Sequence, residues 1–184
     1  MKHSKFAAAM HTAALLTGLL LFIFTALYLA FLCNISLTLA ITFGTIFYHI
    51  IMRLIVGALI PNRFHYTAKW FQPVAFEKKL YQFLRIKRWK KQLPTYDPTL
   101  FSMENYTLEQ IVGHMCQAEV VHEVIALCSF IPLLFSLLFG TFWVFFITSV
   151  AAAGIDMLFV MLQRFNRPRL IRLMTTQNRR SPNA

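Results

Sequence analysis

Residues 12–33 read TAALLTGLLLFIFTALYLAFLC and contain no charged side chain. At ~1.5 Å of rise per residue, a helix of this length covers the ~30 Å hydrocarbon core of a bilayer. Lys2, His3 and Lys5 resemble the basic start of a signal peptide. The apolar run, however, exceeds the ~7–15 residues of such a peptide, and no small-residue cleavage site follows it. The stretch therefore predicts an uncleaved first membrane span.

Three further apolar runs cover residues 37–60, 120–139 and 141–162. The 184-residue chain is 58% hydrophobic and only 14% charged, whereas soluble domains average about 25% charged residues. This composition disfavours a soluble enzyme and a disordered chain. We predict an all-α, polytopic membrane protein with a single domain over residues 1–184. Its four transmembrane helices form two hairpins, with turns at residues 34–36 and at Gly140-Thr141.

The positive charges predict the orientation of these spans. With four spans, both termini and the connection 61–119 share one side of the membrane. That side carries all 18 Lys and Arg residues except Arg53, including a basic tail over residues 163–184, and the two opposite turns carry none. Because cytoplasmic loops accumulate Lys and Arg, we predict a multi-pass plasma-membrane protein with both termini in the cytoplasm.

The connection 61–119 is rich in aromatic and basic residues and forms a predicted interfacial helical segment. Its residues 77–91 (EKKLYQFLRIKRWKK) place Leu80, Phe83, Leu84 and Ile86 near one another at helical spacing, with the cations largely opposite. This pattern is typical of a helix among anionic lipid headgroups. Similar alternation binds single-stranded nucleic acid, but the four spans favour lipid, and we expect no nucleic-acid partner.

Residues 107–123 (TLEQIVGHMCQAEVVHE) predict a helix that begins near an N-cap at Thr107 and enters the third span. Glu119 and His122 share one helix face at i, i+3 spacing. A carboxylate beside an imidazole can hold one tautomer and raise its basicity, as a general base for a hydroxyl requires. The alternative is an ion pair that ends a span. Ionisable groups at membrane depth are usually functional, so we favour catalysis.

Metal binding is the competing use of these side chains. His114 and His122 differ by about 80° around a helix, Glu119 lies well away from His114, and no HExxH motif is present. The three cysteines include no CxxC pair. We therefore expect neither a metal site nor a disulfide framework.

Other intramembrane polar residues are His49, Arg53 and Asp156. His49 and Arg53 share a helix face at i, i+4 spacing, and an Asp156–Arg53 ion pair would connect the second span to the fourth. The sequence leaves open whether these residues are structural or line a substrate cavity.

Residues 163–170 (QRFNRPRL) follow the fourth span. Clustered guanidinium groups at the mouth of a bundle suit phosphate or carboxylate recognition, although a basic cluster can also simply stop translocation. Asn166 and Pro168 predict a shaped turn here rather than a random basic tail.

Three segments together resemble the glycosyl-4,4′-diaponeurosporenoate acyltransferase family, membrane enzymes that complete the carotenoid staphyloxanthin. They are residues 76–93, then Ala118-Glu119 with His122, then residues 163–170. The resemblance covers roughly residues 61–172, and the last segment is its most specific part.

The resemblance implies transfer of a fatty acyl group, from acyl-CoA as co-substrate, to a hydroxyl of a membrane-embedded glycolipid or terpenoid glycoside. It implies His122 as general base, Glu119 as its orienting partner and no cofactor. The residues expected to bind substrate are Arg164, Asn166, Arg167, Arg169, Lys87, Arg88, Trp89, Lys90, Glu123 and His114.

Two other functions remain open from the residues alone. A lipid-binding or assembly subunit could use the same polar groups without a reaction. A proton-coupled transporter could use His49, Glu119, His122 and Asp156, although four spans without an internal repeat are few for that role.

Overall fold

The computed structural model describes residues 5–140 and 142–180, and those residues form helices, turns and loops with no strand. The predicted all-α class is confirmed. Lys2, His3, Thr141 and residues 181–184 lie outside the described residues. The helices are α1 (Lys5–Phe31), α2 (Asn34–Leu59), α3 (Glu77–Phe83), α4 (Ile86–Trp89), α5 (Leu108–Cys128), α6 (Ser136–Phe139) and α7 (Phe142–Arg180), with 3₁₀ turns at Lys69–Phe71, Pro98–Phe101 and Ile131–Phe135.

Four helical segments of the described chain are long and apolar enough to cross a membrane: Lys5–Phe31, Asn34–Leu59, Leu108–Phe139 and Phe142–Gln177. The prediction of four spans is confirmed. α1 packs on α2 and α5 packs on α7, while α2 also contacts α5. Large apolar side chains such as Leu15 and Phe22 are exposed on the outside of the bundle, whereas the ionisable side chains Glu119 and Asp156 are buried in its interior. This is the arrangement that lipid around the bundle requires.

The turns that connect the spans differ in part from expectation. The first turn is Leu32-Cys33 rather than residues 34–36, because Leu32 takes a left-handed conformation (φ 51°) and α2 begins at once with Asn34. The turn at Gly140 is confirmed by its positive φ of 70°, a conformation that glycine adopts without a Cβ clash.

The third span is interrupted rather than continuous over 120–139. α5 begins with the expected N-cap at Thr107, whose side chain accepts from the Gln110 amide in a capping box. The helix ends at Cys128 because Pro132 lacks an N–H group and disfavours helix for the residue before it. The Tyr48 hydroxyl donates a 2.8 Å hydrogen bond to the freed Cys128 carbonyl, which connects α2 to the break.

Two local predictions in the basic segments are wrong. Residues 77–91 form two short helices, because Arg85 between them has a φ of 50°; Ile86 is buried while Phe83 is 83% exposed, so the expected apolar face does not form. Conversely, α7 continues through Pro168 without the predicted turn. Tertiary contacts of the side chains before Pro168, described below, hold the helix across the missing hydrogen bond.

Candidate active site

His122 on α5 is paired with Asp156 on α7. The His122 Nδ1 and Asp156 Oδ1 atoms are 3.0 Å apart, and the Phe159 ring stacks on the imidazole with centroids separated by 4.7 Å. The Asp156 side chain is only 1% exposed, whereas that of His122 is 24% exposed. An aspartate that accepts from Nδ1 leaves Nε2 as the basic nitrogen. The pair thus has the geometry of an oriented general base.

Arg53 on α2 completes this cluster. Its guanidinium forms an ion pair with Asp156 Oδ2 and donates to the His49 carbonyl oxygen at 2.6 Å. The predicted Arg53–Asp156 pair is therefore confirmed. Because the same aspartate holds His122, the pair is both a structural connection between helices and part of the candidate site. Both ring nitrogens of the neighbouring His49 are buried without a hydrogen-bond partner among the described residues.

Glu119 does not pair with His122, so its predicted role as orienting partner is wrong. Its buried carboxylate instead receives a hydrogen bond from Arg164 at 2.6 Å and forms an ion pair with Arg167. Glu119 and His122 share the i, i+3 spacing, but the two arginines on α7 bind Glu119 and the aspartate on α7 binds His122. Two arginines satisfy more of the hydrogen-bond acceptor sites of this buried carboxylate than one imidazole could.

The two arginines also hold the chain that crosses over the bundle at residues 70–77. Arg164 donates to the Trp70 and Gln72 carbonyl oxygens at 3.0 and 3.1 Å and to Glu77 Oε1 at 2.8 Å. Arg167, 2% exposed, donates to the Phe71 carbonyl oxygen at 2.6 Å. Both guanidiniums face inward and are neutralised. The prediction that they bind a substrate phosphate therefore does not fit their position.

His114 and Glu123 lie outside the His122–Asp156 pair. His114 Nδ1 accepts from Asn62 Nδ2 at 3.0 Å and its ring contacts Tyr106. Glu123 accepts from the Trp70 indole at 2.9 Å. Both side chains thus connect α5 to the preceding connection: His114 lies eight residues before His122, and Glu123 directly follows His122 but pairs with Trp70 instead of Asp156. Their expected contact with substrate stays a prediction.

A basic cavity of about 640 Å³ lies between α4 and α7. Of the residues expected to bind substrate, Lys87, Lys90, Asn166 and Arg169 line it. Phe165, Pro168 and Arg172 also line the cavity, but they were not assigned to substrate binding from the sequence. Phe165 and Arg172 could have been found from their spacing, because Phe165, Arg169 and Arg172 follow at i, i+4 and i+7 on one helix face.

Lys90 is fixed within this cavity. Its ammonium donates to Asn166 Oδ1 at 2.9 Å and lies 5.1 Å from the centroid of the Phe165 ring. Burial lowers the Lys90 pKa below its ordinary value, and the nearby Arg169, Lys91 and Lys87 charges lower it further. Because these like charges lie close together, binding of an anion among them is electrostatically favourable.

Arg88 and Trp89, which were also expected to bind substrate, differ in position. Arg88 lines an adjoining cavity of about 620 Å³, which shares Lys87, Phe165 and Arg172 with the first. The Trp89 indole donates to the Leu84 carbonyl oxygen at 2.9 Å and lines neither cavity. Trp89 therefore stabilises the turn between α3 and α4. Across the described residues, no three His, Cys, Asp or Glu side chains are grouped as metal ligands.

Residues 67–176 match the model of the glycosyl-4,4′-diaponeurosporenoate acyltransferase family. The chain belongs to this family. No curated protein and no solved structure matched. The matched range contains His122, Asp156, the Glu119–arginine network and the basic cavity, but it begins after α2 and so leaves out Arg53. The predicted resemblance is confirmed, and the chain is an acyltransferase of the membrane.

Proposed function

We propose that this enzyme moves a fatty acyl group from acyl-CoA to a sugar hydroxyl of a membrane-embedded glycolipid, with His122 as the general base. The family description names glycosyl-4,4′-diaponeurosporenoate, a glycosylated terpenoid of the class that the bundle would meet in lipid. The observation that carries the proposal is the hydrogen bond between His122 Nδ1 and the buried Asp156 carboxylate. No cofactor is required for this reaction.

The pair performs the proton transfers of an ester-forming step. His122 Nδ1–H donates to Asp156, and Nε2 removes the proton from the acceptor hydroxyl as its oxygen attacks the thioester carbonyl. The tetrahedral intermediate then collapses, the carbon–sulfur bond breaks, and the imidazolium returns its proton to the CoA thiolate. Arg53 binds the second Asp156 oxygen and holds the carboxylate in place, and the carboxylate stabilises the imidazolium during the reaction.

The depth of the pair suits a lipid acceptor. Along α7, Asp156 lies 14 residues after Phe142 and 8 residues before Arg164, or about 21 Å and about 12 Å at ~1.5 Å per residue. The reacting nitrogen is therefore beneath the charged face of the bundle rather than at its surface. If the protein follows the positive-inside rule in the plasma membrane, that charged face lies toward the cytoplasm, where acyl-CoA is found.

The test is acyl transfer by purified protein in nanodiscs, with palmitoyl-CoA as donor and glycosyl-4,4′-diaponeurosporenoate as acceptor. Thiol release and the mass of the lipid ester are measured together. General-base catalysis contributes ~10²–10⁴-fold, so His122→Ala should lower kcat by that factor at unchanged content of folded protein.

His65→Ala is the matched control, because His65 is exposed on the connection after α2 and should keep wild-type turnover. Wild-type turnover in folded His122→Ala protein would end the general-base assignment. Thiol release without ester formation would show hydrolysis rather than transfer.

A further inference from the structure

We propose that the basic cavity between α4 and α7 is the site for the phosphate groups of the acyl-CoA donor. This inference rests on the proposed function for the identity of the donor, and it adds where the donor's charged part binds. The cavity is distinct from the His122–Asp156 pair, and the two together would hold the two ends of one thioester.

The cavity presents cations that no carboxylate of the described residues neutralises. Lys87, Lys90, Arg169 and Arg172 line it, and no carboxylate does. The buried carboxylates Glu77, Glu119 and Asp156 are engaged elsewhere by Arg164, Arg167 and Arg53. Phosphate monoesters carry roughly −1.5 to −2 charges at neutral pH. The diphosphate and 3′-phosphate of coenzyme A therefore bring about four negative charges to four positive ones.

On α7, the cations that line the cavity lie on a different helix face from the two arginines that stabilise the fold. On α7, Phe165, Arg169 and Arg172 follow one another at i, i+4 and i+7, so they share one face, while Arg164 and Arg167 point into the bundle. Lys87 and Lys90, three residues apart at α4, form the opposite wall. Two cationic rows thus face each other across an aromatic ring.

The size and position of the cavity also fit this part of the donor. A volume of about 640 Å³ lies within the ~300–1,000 Å³ of small-molecule sites. Asn166 at the cavity is ten residues beyond Asp156 along α7, or about 15 Å. The pantetheine arm contains about twelve bonds, the length of roughly four extended residues, or ~14 Å. Phosphates in the cavity would therefore place the thioester near the depth of His122.

The decisive measurement compares two donors that share the acyl-pantetheine, one with and one without the phosphates and the adenosine attached to them. Palmitoyl-CoA and S-palmitoyl-pantetheine carry the same thioester, so wild-type enzyme should show a much lower KM for palmitoyl-CoA. A hydrogen bond to a charged group contributes ~1.5–3 kcal/mol, so Arg169→Gln and Arg172→Gln should each raise the palmitoyl-CoA KM by about 10–100-fold. In both variants the KM ratio between the two donors should fall toward one.

Lys79→Gln is the matched control, because Lys79 is an exposed cation of α3 that lines neither cavity; its KM ratio should stay at the wild-type value. Equal KM values of the two donors in wild-type enzyme would overturn the inference while leaving the proposed reaction intact. If both donors lose activity in parallel in Arg169→Gln, and added phosphatidylglycerol governs the wild-type rate, the cavity holds a lipid headgroup and the inference is also overturned.

A binding measurement separates this inference from the reaction. Equilibrium dialysis of unacylated coenzyme A against His122→Ala nanodiscs should give the wild-type Kd, and Arg169→Gln should weaken it by the same factor as its KM. Coenzyme A binding without any acyl transfer by wild-type protein would refute the proposed function and keep the cavity assignment. Wild-type affinity in Arg169→Gln would refute the assignment.

Discussion

Replacing Glu119 tests whether the buried ion network stabilises the fold or takes part in the reaction. Glu119→Gln keeps the shape of the side chain but removes the charge that neutralises Arg167, whose side chain is 2% exposed. Arg167 would then have no charged partner among the described residues, although the Phe71 carbonyl oxygen, the Phe71 ring and the Cys116 sulfur remain in contact with it. Loss of one member of a buried ion pair costs ~3–5 kcal/mol. For a chain of this size, that corresponds to a fall in Tm on the order of 10 °C.

The assay uses the buried thiol of Cys116, which lies 3.8 Å from the Arg167 guanidinium. In a Cys33→Ser, Cys128→Ser background, a thiol-reactive dye reports the temperature at which Cys116 becomes accessible. Glu123→Gln is the control on the same helix: its carboxylate accepts from the Trp70 indole, and a Gln oxygen can still accept. Its Tm should change far less than that of Glu119→Gln.

A second variant separates charge from shape. Glu119→Gln combined with Arg167→Met removes both charges, and the double variant should regain much of the lost Tm, since a buried pair replaced as a whole is often neutral for stability. Activity in Glu119→Gln should fall in step with the folded fraction. A normal Tm together with a large loss of kcat per folded molecule would refute this reasoning and return Glu119 to the reaction.

Three further outcomes follow from the same contacts. Asp156→Asn should lower kcat by ~10²–10⁴-fold per folded molecule, because an amide can hold the wrong imidazole tautomer; an unchanged kcat in the transfer assay would contradict the pair. Because the Lys90 pKa is lowered, Lys90 loses its charge at a lower pH than an ordinary lysine. Coenzyme A affinity should therefore begin to decline below the ordinary lysine pKa of about 10.4, and Lys90→Arg should flatten that decline in dialysis. A membrane-impermeant maleimide should label exposed Cys33 in intact cells but an introduced Thr95→Cys only after permeabilisation. Labelling of both cysteines from the same side of the membrane would exclude the four-span topology.

The membrane architecture could be predicted from the sequence because its causes are local. Uncharged runs long enough to cross a bilayer need no partner to be recognised, and the helix start at Thr107 and the turn at Gly140 follow from the chemistry of single residues. The Arg53–Asp156 pair was also predictable, since two opposite charges inside one bilayer have few other partners. The same reasoning failed at Pro168, where side-chain contacts override a local helix breaker.

The partner of His122 was decided only by the tertiary structure. Spacing along a helix says which residues share a face, and on that basis Glu119 was the nearest carboxylate. The rotation of α7 against α5 instead brings two guanidiniums to Glu119 and Asp156 to His122. Two arginines neutralise a buried carboxylate better than one imidazole does, and the imidazole then takes the aspartate 34 residues away. That choice depends on helix packing, which no local pattern encodes.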